Sequence, residues 1–115
     1  MITIRKATKE DLPILYEFEQ GVLYAERPMD KTLKASKTYY YDIPNLISDL
    51  KVELVIAEIN GVIAGCGYAR IKQARDCFQF DQFSYLGFMF TKEGFRGKGI
   101  NNAIINYLYD WSLSR

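Results

Sequence analysis

Apolar and polar positions alternate with period two from Ile2 to Arg5, which predicts a first strand. Leu12, Leu15, Phe18 and Val22 then recur at helical spacing. Thr8 and Asp11 resemble a capping box with Asp in place of Glu, and Pro13 falls in the first turns, where proline is tolerated. Ala25 to Thr38 is polar, contains Pro28 and reads as a loop. Tyr39-Tyr40-Tyr41 and Asp42 lead into a short second helix over Ile43 to Leu50, with Pro44 near its start.

Val52 to Ile59 and Val62 to Ile71 are apolar, β-branched runs joined by Asn60-Gly61. Asn-Gly between two strand patterns predicts a hairpin, because a type I′ turn needs positive φ at both central residues. Gln73 to Asp81 is a charged connection, and Phe83 to Phe90 is the last strand. A glycine-rich turn follows. Asn101 to Leu113 then reads as an amphipathic helix, with Ile100, Ile104, Leu108 and Trp111 along one face and Ala103 and Tyr107 beside them. The predicted order is β-α-α-β-β-β-α, an α/β protein with a mixed sheet, and no internal repeat or low-complexity tract interrupts it.

The chain has 115 residues, which bounds it to a single domain over 1–115. Apolar residues make up 49% and charged residues 25%, the balance of a soluble globular protein. The net charge of +1 argues against a nucleic-acid partner, which needs a broad basic face. No apolar run is long enough to span a bilayer, and the chain starts directly in a strand pattern. The two cysteines, Cys66 and Cys77, are too few for a disulfide scaffold, so a reduced, cytoplasmic protein is expected. Cys66, between Gly65 and Gly67, reads as buried packing. The absence of histidine removes the usual Ser-His-Asp and Cys-His machinery and most zinc sites, and no metal is expected.

Glu93-Gly94-Phe95-Arg96-Gly97-Lys98-Gly99-Ile100 carries the chemistry. A basic glycine turn that opens a helix is an anion site, since the first helical amides lack intrahelical partners and lie at the positive end of the dipole. The alternative is a tight βα turn with Arg96 and Lys98 merely solvated. Three phosphate motifs compete. A Walker A loop fails on spacing and on Gly99, which stands where Ser or Thr is needed. A dinucleotide fingerprint fails at Asn102, where its third glycine belongs. Arg96-x-x-Gly99, after a strand and at the mouth of a helix, resembles the pyrophosphate loop of the GNAT superfamily of N-acetyltransferases. The stretch Leu86-Gly87-Phe88-Met89-Phe90 to Ile100 is similar to that superfamily's central motif, and the element order is similar to the N-terminal two-thirds of its fold.

The resemblance implies transfer of an acetyl group from acetyl-CoA to a primary amine of a small molecule or a protein. It implies that the amides of Arg96, Gly97, Lys98, Gly99, Ile100 and Asn101 cradle the pyrophosphate. It implies that the backbone of Phe88, Met89 and Phe90 pairs with the pantetheine arm and stabilises the oxyanion, while their side chains are core. Glu26, Arg27 and Asp30 lie in the region that contacts the acceptor in such enzymes, and the Tyr39–Tyr41 run either packs on the core or lines that pocket. Asn101 departs from the motif, which has Gly or Ala there. The last strand offers Ser84 and Tyr85 in place of a frequent glutamate, so a water relay is expected and no catalytic residue is named. The superfamily's later β-α-β-β part has no counterpart here, so a C-terminally truncated domain is expected. A second reading follows from this: a CoA-binding fragment without activity that forms a homodimer through its last strand.

Overall fold

The computed structural model describes residues 1–26, 41–73 and 82–114. Strand β1 (Ile2–Lys6) leads through a 3-10 turn (Lys9–Asp11) into helix α1 (Leu12–Glu26), followed by α2 (Ile43–Ser48), β2 (Val52–Ile59), β3 (Val62–Gln73), β4 (Gln82–Thr91) and α3 (Ile100–Leu113). The predicted order is the observed one. The four strands form one antiparallel sheet in the order β1-β2-β3-β4.

Local chemistry sets most boundaries. The Asp11 carboxylate reaches back to accept the Thr8 N–H at 2.7 Å, the bond a capping box makes with Glu, and the Asp11 N–H donates to the Thr8 carbonyl at 2.9 Å in the first turn. Asn60 and Gly61 take φ of 51° and 80°, the pair a type I′ hairpin requires. α1 runs to Glu26, past Ala25 where a loop was expected, because Ala and Glu both favour helix and Pro28 comes only later. α2 stops at Ser48, short of the expected Leu50. Asp49 adopts extended backbone there, and its side chain accepts the Lys51 N–H at 2.9 Å in a local turn. The part of the Gln73 to Asp81 connection over 74–81 lies outside the described residues.

The sheet separates two apolar layers. Leu15 and Phe18 of α1 and Ile43 and Leu46 of α2 pack on Leu54, Ile56, Cys66, Tyr68 and Phe88. Ile100, Ile104, Leu108 and Trp111 of α3 pack on Val55, Ala57, Ala64 and Ala69 from the other side. β2 is buried on both faces, which explains its unbroken apolar run. Among the described residues no helix is long and apolar enough to cross a membrane.

Candidate functional site

β4 is not a regular strand. Cys66 pairs with Phe90 and Tyr68 with Gly87, so Gly67 alone faces both Phe88 and Met89. That is a β-bulge, and Phe88 sits in it with a left-handed φ of 50°. A bulky residue pays about 1–2 kcal/mol for that conformation, so its surroundings must hold it. The Phe88 ring is buried and stacks on Tyr41, with centroids 4.5 Å apart and planes 19° from parallel. The Cys66 thiol donates to the Phe88 carbonyl at 3.4 Å, and burial pushes this thiol well above the ordinary thiol range. Gly87 leaves the space that the Tyr68 ring fills, since a Cβ there would lie 2.6 Å from it. The bulge therefore puts Gly87 and Phe88 on the same face and turns Met89 to the other.

Beyond β4 the chain turns at Lys92, whose carbonyl accepts the Phe95 N–H at 3.0 Å. The Arg96 side chain folds back and its Nε donates to the Thr91 carbonyl at 3.3 Å. Gly99 caps α3 with a left-handed φ of 82° and no side-chain hydrogen bond. Helical bonding starts with the Ala103 N–H, which donates to the Gly99 carbonyl at 3.0 Å. The amides of Ile100, Asn101 and Asn102 thus precede the first intrahelical bond and face outward at the positive helix end.

These parts meet in one cleft of about 610 Å³ between α1, β4 and the mouth of α3. Of the residues singled out from sequence, Met89, Phe90, Arg96, Gly97, Gly99, Ile100 and Asn101 line it. Phe88 and Lys98 are not among its lining residues: the Phe88 side chain is core and Lys98 is exposed on the turn. Ile100 is buried in the α3 layer, so it can offer the cleft little beyond its amide. Arg27 and Asp30 lie outside the described residues; Glu26 ends α1, with its side chain undescribed. Ser84 and Tyr85 diverge: Ser84 bonds Ser112 of α3 at 2.6 Å, while Tyr85 lies on the other face near Tyr68, under the Lys72 ammonium.

Sequence reasoning missed the α1 wall. Gly21 and Val22 line the cleft, and a Cβ on Gly21 would meet the Phe90 ring at 2.9 Å. A glycine inside a helical pattern was the available signal. Gly87 inside a strand pattern was likewise a signal for the bulge. Among the described residues no group of three His, Cys, Asp or Glu side chains is placed to hold a metal.

A family model described as the Acetyltransferase (GNAT) family matches residues 13–115. Comparison with curated proteins gives no match. Among solved structures, the chain is similar to a predicted acetyltransferase with acetyl-CoA from Clostridium acetobutylicum, at 20% identity and TM-score 0.72, over 100% of this chain and 75% of that one. It is similar to a GCN5-related N-acetyltransferase from Ralstonia eutropha JMP134, at 16% identity and TM-score 0.77, over 100% and 78%. It is also similar to glucosamine-6-phosphate N-acetyltransferase from Arabidopsis thaliana, at 19% identity and TM-score 0.67, over 96% and 73%. At these identities the likeness to the three structures is one of fold.

Proposed function

The chain belongs to the Acetyltransferase (GNAT) family, and from that premise we propose that it transfers an acetyl group from acetyl-CoA to a primary amine by direct attack in a ternary complex. Family membership indicates acyl transfer in general; the donor, the acceptor and the route are the proposal.

The observation that carries it is the mouth of α3. Gly99 caps the helix in a left-handed conformation and brings no side chain to occupy the free amides. An ideal Cβ at Gly97 or Gly99 would meet nothing within 4 Å, so the space outside the turn is open. A diphosphate placed there accepts from backbone donors at the positive end of the dipole.

Bound acetyl-CoA supplies an activated thioester carbonyl. The chain's own part is to hold and orient. The amides from Arg96 to Asn101 grip the diphosphate, and Arg96 and Lys98 add charge. The backbone of Phe88 to Phe90 runs along the donor arm and offers an N–H to the oxygen on which negative charge develops, a contribution of ~3 kcal/mol. An amine is protonated at neutral pH and must shed that proton before it attacks. β4 has no carboxylate between Gln82 and Thr91, so water carries the proton away. Glu26, Arg27 and Asp30 are the proposed contacts of the acceptor.

Titration calorimetry with acetyl-CoA tests the reading. The wild-type chain binds saturably. Gly99→Val loses at least tenfold in affinity while its thermal unfolding stays cooperative. Equal affinity in the two proteins defeats the assignment.

One observation favours a second reading. β4 is one of the two edge strands of the described sheet and exposes Phe83, Tyr85 and Leu86. On that reading the chain is an acetyl-CoA-binding module that pairs with a second copy through β4 and does not turn over. Sedimentation showing a monomer, together with turnover of acetyl-CoA, excludes it.

A further inference from the structure

We propose that Glu19 is a positioning residue for acyl transfer: its buried carboxylate holds Tyr41 against the β4 bulge and so fixes the backbone donor at Phe88 to Phe90. The proposal rests on the donor reading above and adds a residue to it.

Glu19 lies in mid-α1 and is completely buried. Burying a carboxylate is costly unless it is well bonded. Its Oε2 accepts the Tyr41 N–H at 2.6 Å, a short bond between residues far apart in sequence. Tyr41 directly precedes Asp42, the N-cap of α2. The bond therefore ties the start of α2 to α1 and sets where the Tyr41 ring lies.

That ring meets the bulge residue Phe88 and the β3 side chain beside it. It stacks on Phe88, the left-handed residue, and it meets Tyr68 edge-on, at 6.3 Å and 82°. Tyr68 in turn occupies the space beside Gly87. Gly87 and Phe88 are the two successive residues that share this face. Without the ring, the left-handed Phe88 loses the partner that offsets its strain. Relaxation of the bulge would re-aim the amides of Phe88 and Met89, which lie between the paired residues Gly87 and Phe90. The mouth of α3 does not depend on this contact, so grip on the diphosphate and aim at the carbonyl are separable.

The test uses acetyl-CoA labelled with 13C at the acetyl carbonyl, bound to the full chain without an acceptor. Hydrogen bonding from the bulge moves the bound carbonyl resonance downfield of the free one. Glu19→Leu is expected to lose at least half of that displacement while its Kd for acetyl-CoA stays within threefold of wild type. Glu19→Gln keeps an acceptor oxygen of the same reach and is expected to restore it. Tyr41→Leu repeats the loss with Glu19 intact, and it carries the test if Glu19→Leu does not fold. A wild-type displacement in Tyr41→Leu, or in a folded Glu19→Leu, overturns the proposal. A wild-type chain that does not bind acetyl-CoA overturns the donor reading and this inference together, and it is recognised before any variant is made.

Discussion

The Tyr107 hydroxyl donates to the Glu53 carboxylate at 3.0 Å, joining α3 to β2 on the sheet face that α3 covers. The other Glu53 oxygen lies 3.7 Å from the Lys6 ammonium on β1, so one carboxylate links a helix and two strands. Burial, followed by the hydrogen bond to Glu53, raises the Tyr107 pKa above its ordinary value of 10.0. Tyr107→Phe is expected to cost about 1 kcal/mol, because Glu53 keeps Lys6 but loses a donor. A group with a raised folded pKa contributes stability that is full below its unfolded pKa and fades as pH rises through the folded one. Denaturant titrations should show the wild-type advantage over Tyr107→Phe constant at neutral pH and shrinking above pH ~10. An advantage independent of pH up to 11 would contradict the contact.

The Arg5 guanidinium grips Asp11 with two bonds of 2.9 Å and also bonds Glu58 at 2.7 Å. The Asp11 carboxyl is held below its ordinary 3.8, first by the Arg5 bonds and then by the Thr8 amide, against the opposing effect of burial. Stability from a depressed carboxyl is present above the unfolded pKa and lost as pH falls through the folded one. Asp11→Asn should therefore cost about 1–2 kcal/mol at pH 7. It should also flatten the acid limb of the stability curve below pH ~4. Parallel acid limbs for the two proteins would refute this.

A Cβ on Gly65 would stand 2.6 Å from the Phe90 carbonyl and 3.1 Å from Ile100. The first obstacle is backbone, so β4 itself must move. Gly65→Ala is expected to destabilise by about 1–3 kcal/mol. Because Phe90 and Ile100 both line the cleft, it should also weaken acetyl-CoA binding. Gly61→Ala is the control: it has open space but positive φ, so it should lose stability without loss of binding. Chemical denaturation and calorimetry read the two effects separately.

Cys66 is fully buried, with its thiol pKa pushed up by desolvation. The thiolate is the reactive form, so native protein at pH 8 should leave Cys66 unmodified by iodoacetamide for hours, while denaturant exposes it at once. Peptide mass spectrometry resolves the site. Rapid native labelling of Cys66 would mean that the layer between α1 and β3 opens readily.

Much of the fold was legible along the chain because its signals are local. The Thr8–Asp11 box, the Asn60-Gly61 turn and the Ile100, Ile104, Leu108, Trp111 stripe depend on residues within a few positions of each other. The turn from Glu93 to Gly99 was legible for the same reason, since uncapped helical amides next to glycines are a property of that segment alone. The α1 side of the cleft was not legible. Gly21 meets Phe90 across 69 positions of sequence, and no local pattern pairs them.

The sequence by itself determined which segments are helix and strand, where the glycine-rich turn at the mouth of α3 lies, and the family resemblance that the turn carries. Only the tertiary structure decided which way the last strand faces. Period two would put Phe90, Phe88, Leu86 and Ser84 on one side; in the fold, Phe90 and Phe88 face α1 and α2 while Leu86 and Ser84 face α3. The reason is the extra residue at Phe88. Its left-handed backbone is unfavourable on local grounds and persists because Tyr41, ahead of α2, and Cys66 and Tyr68, on β3, close around the bulge from two distant points of the chain.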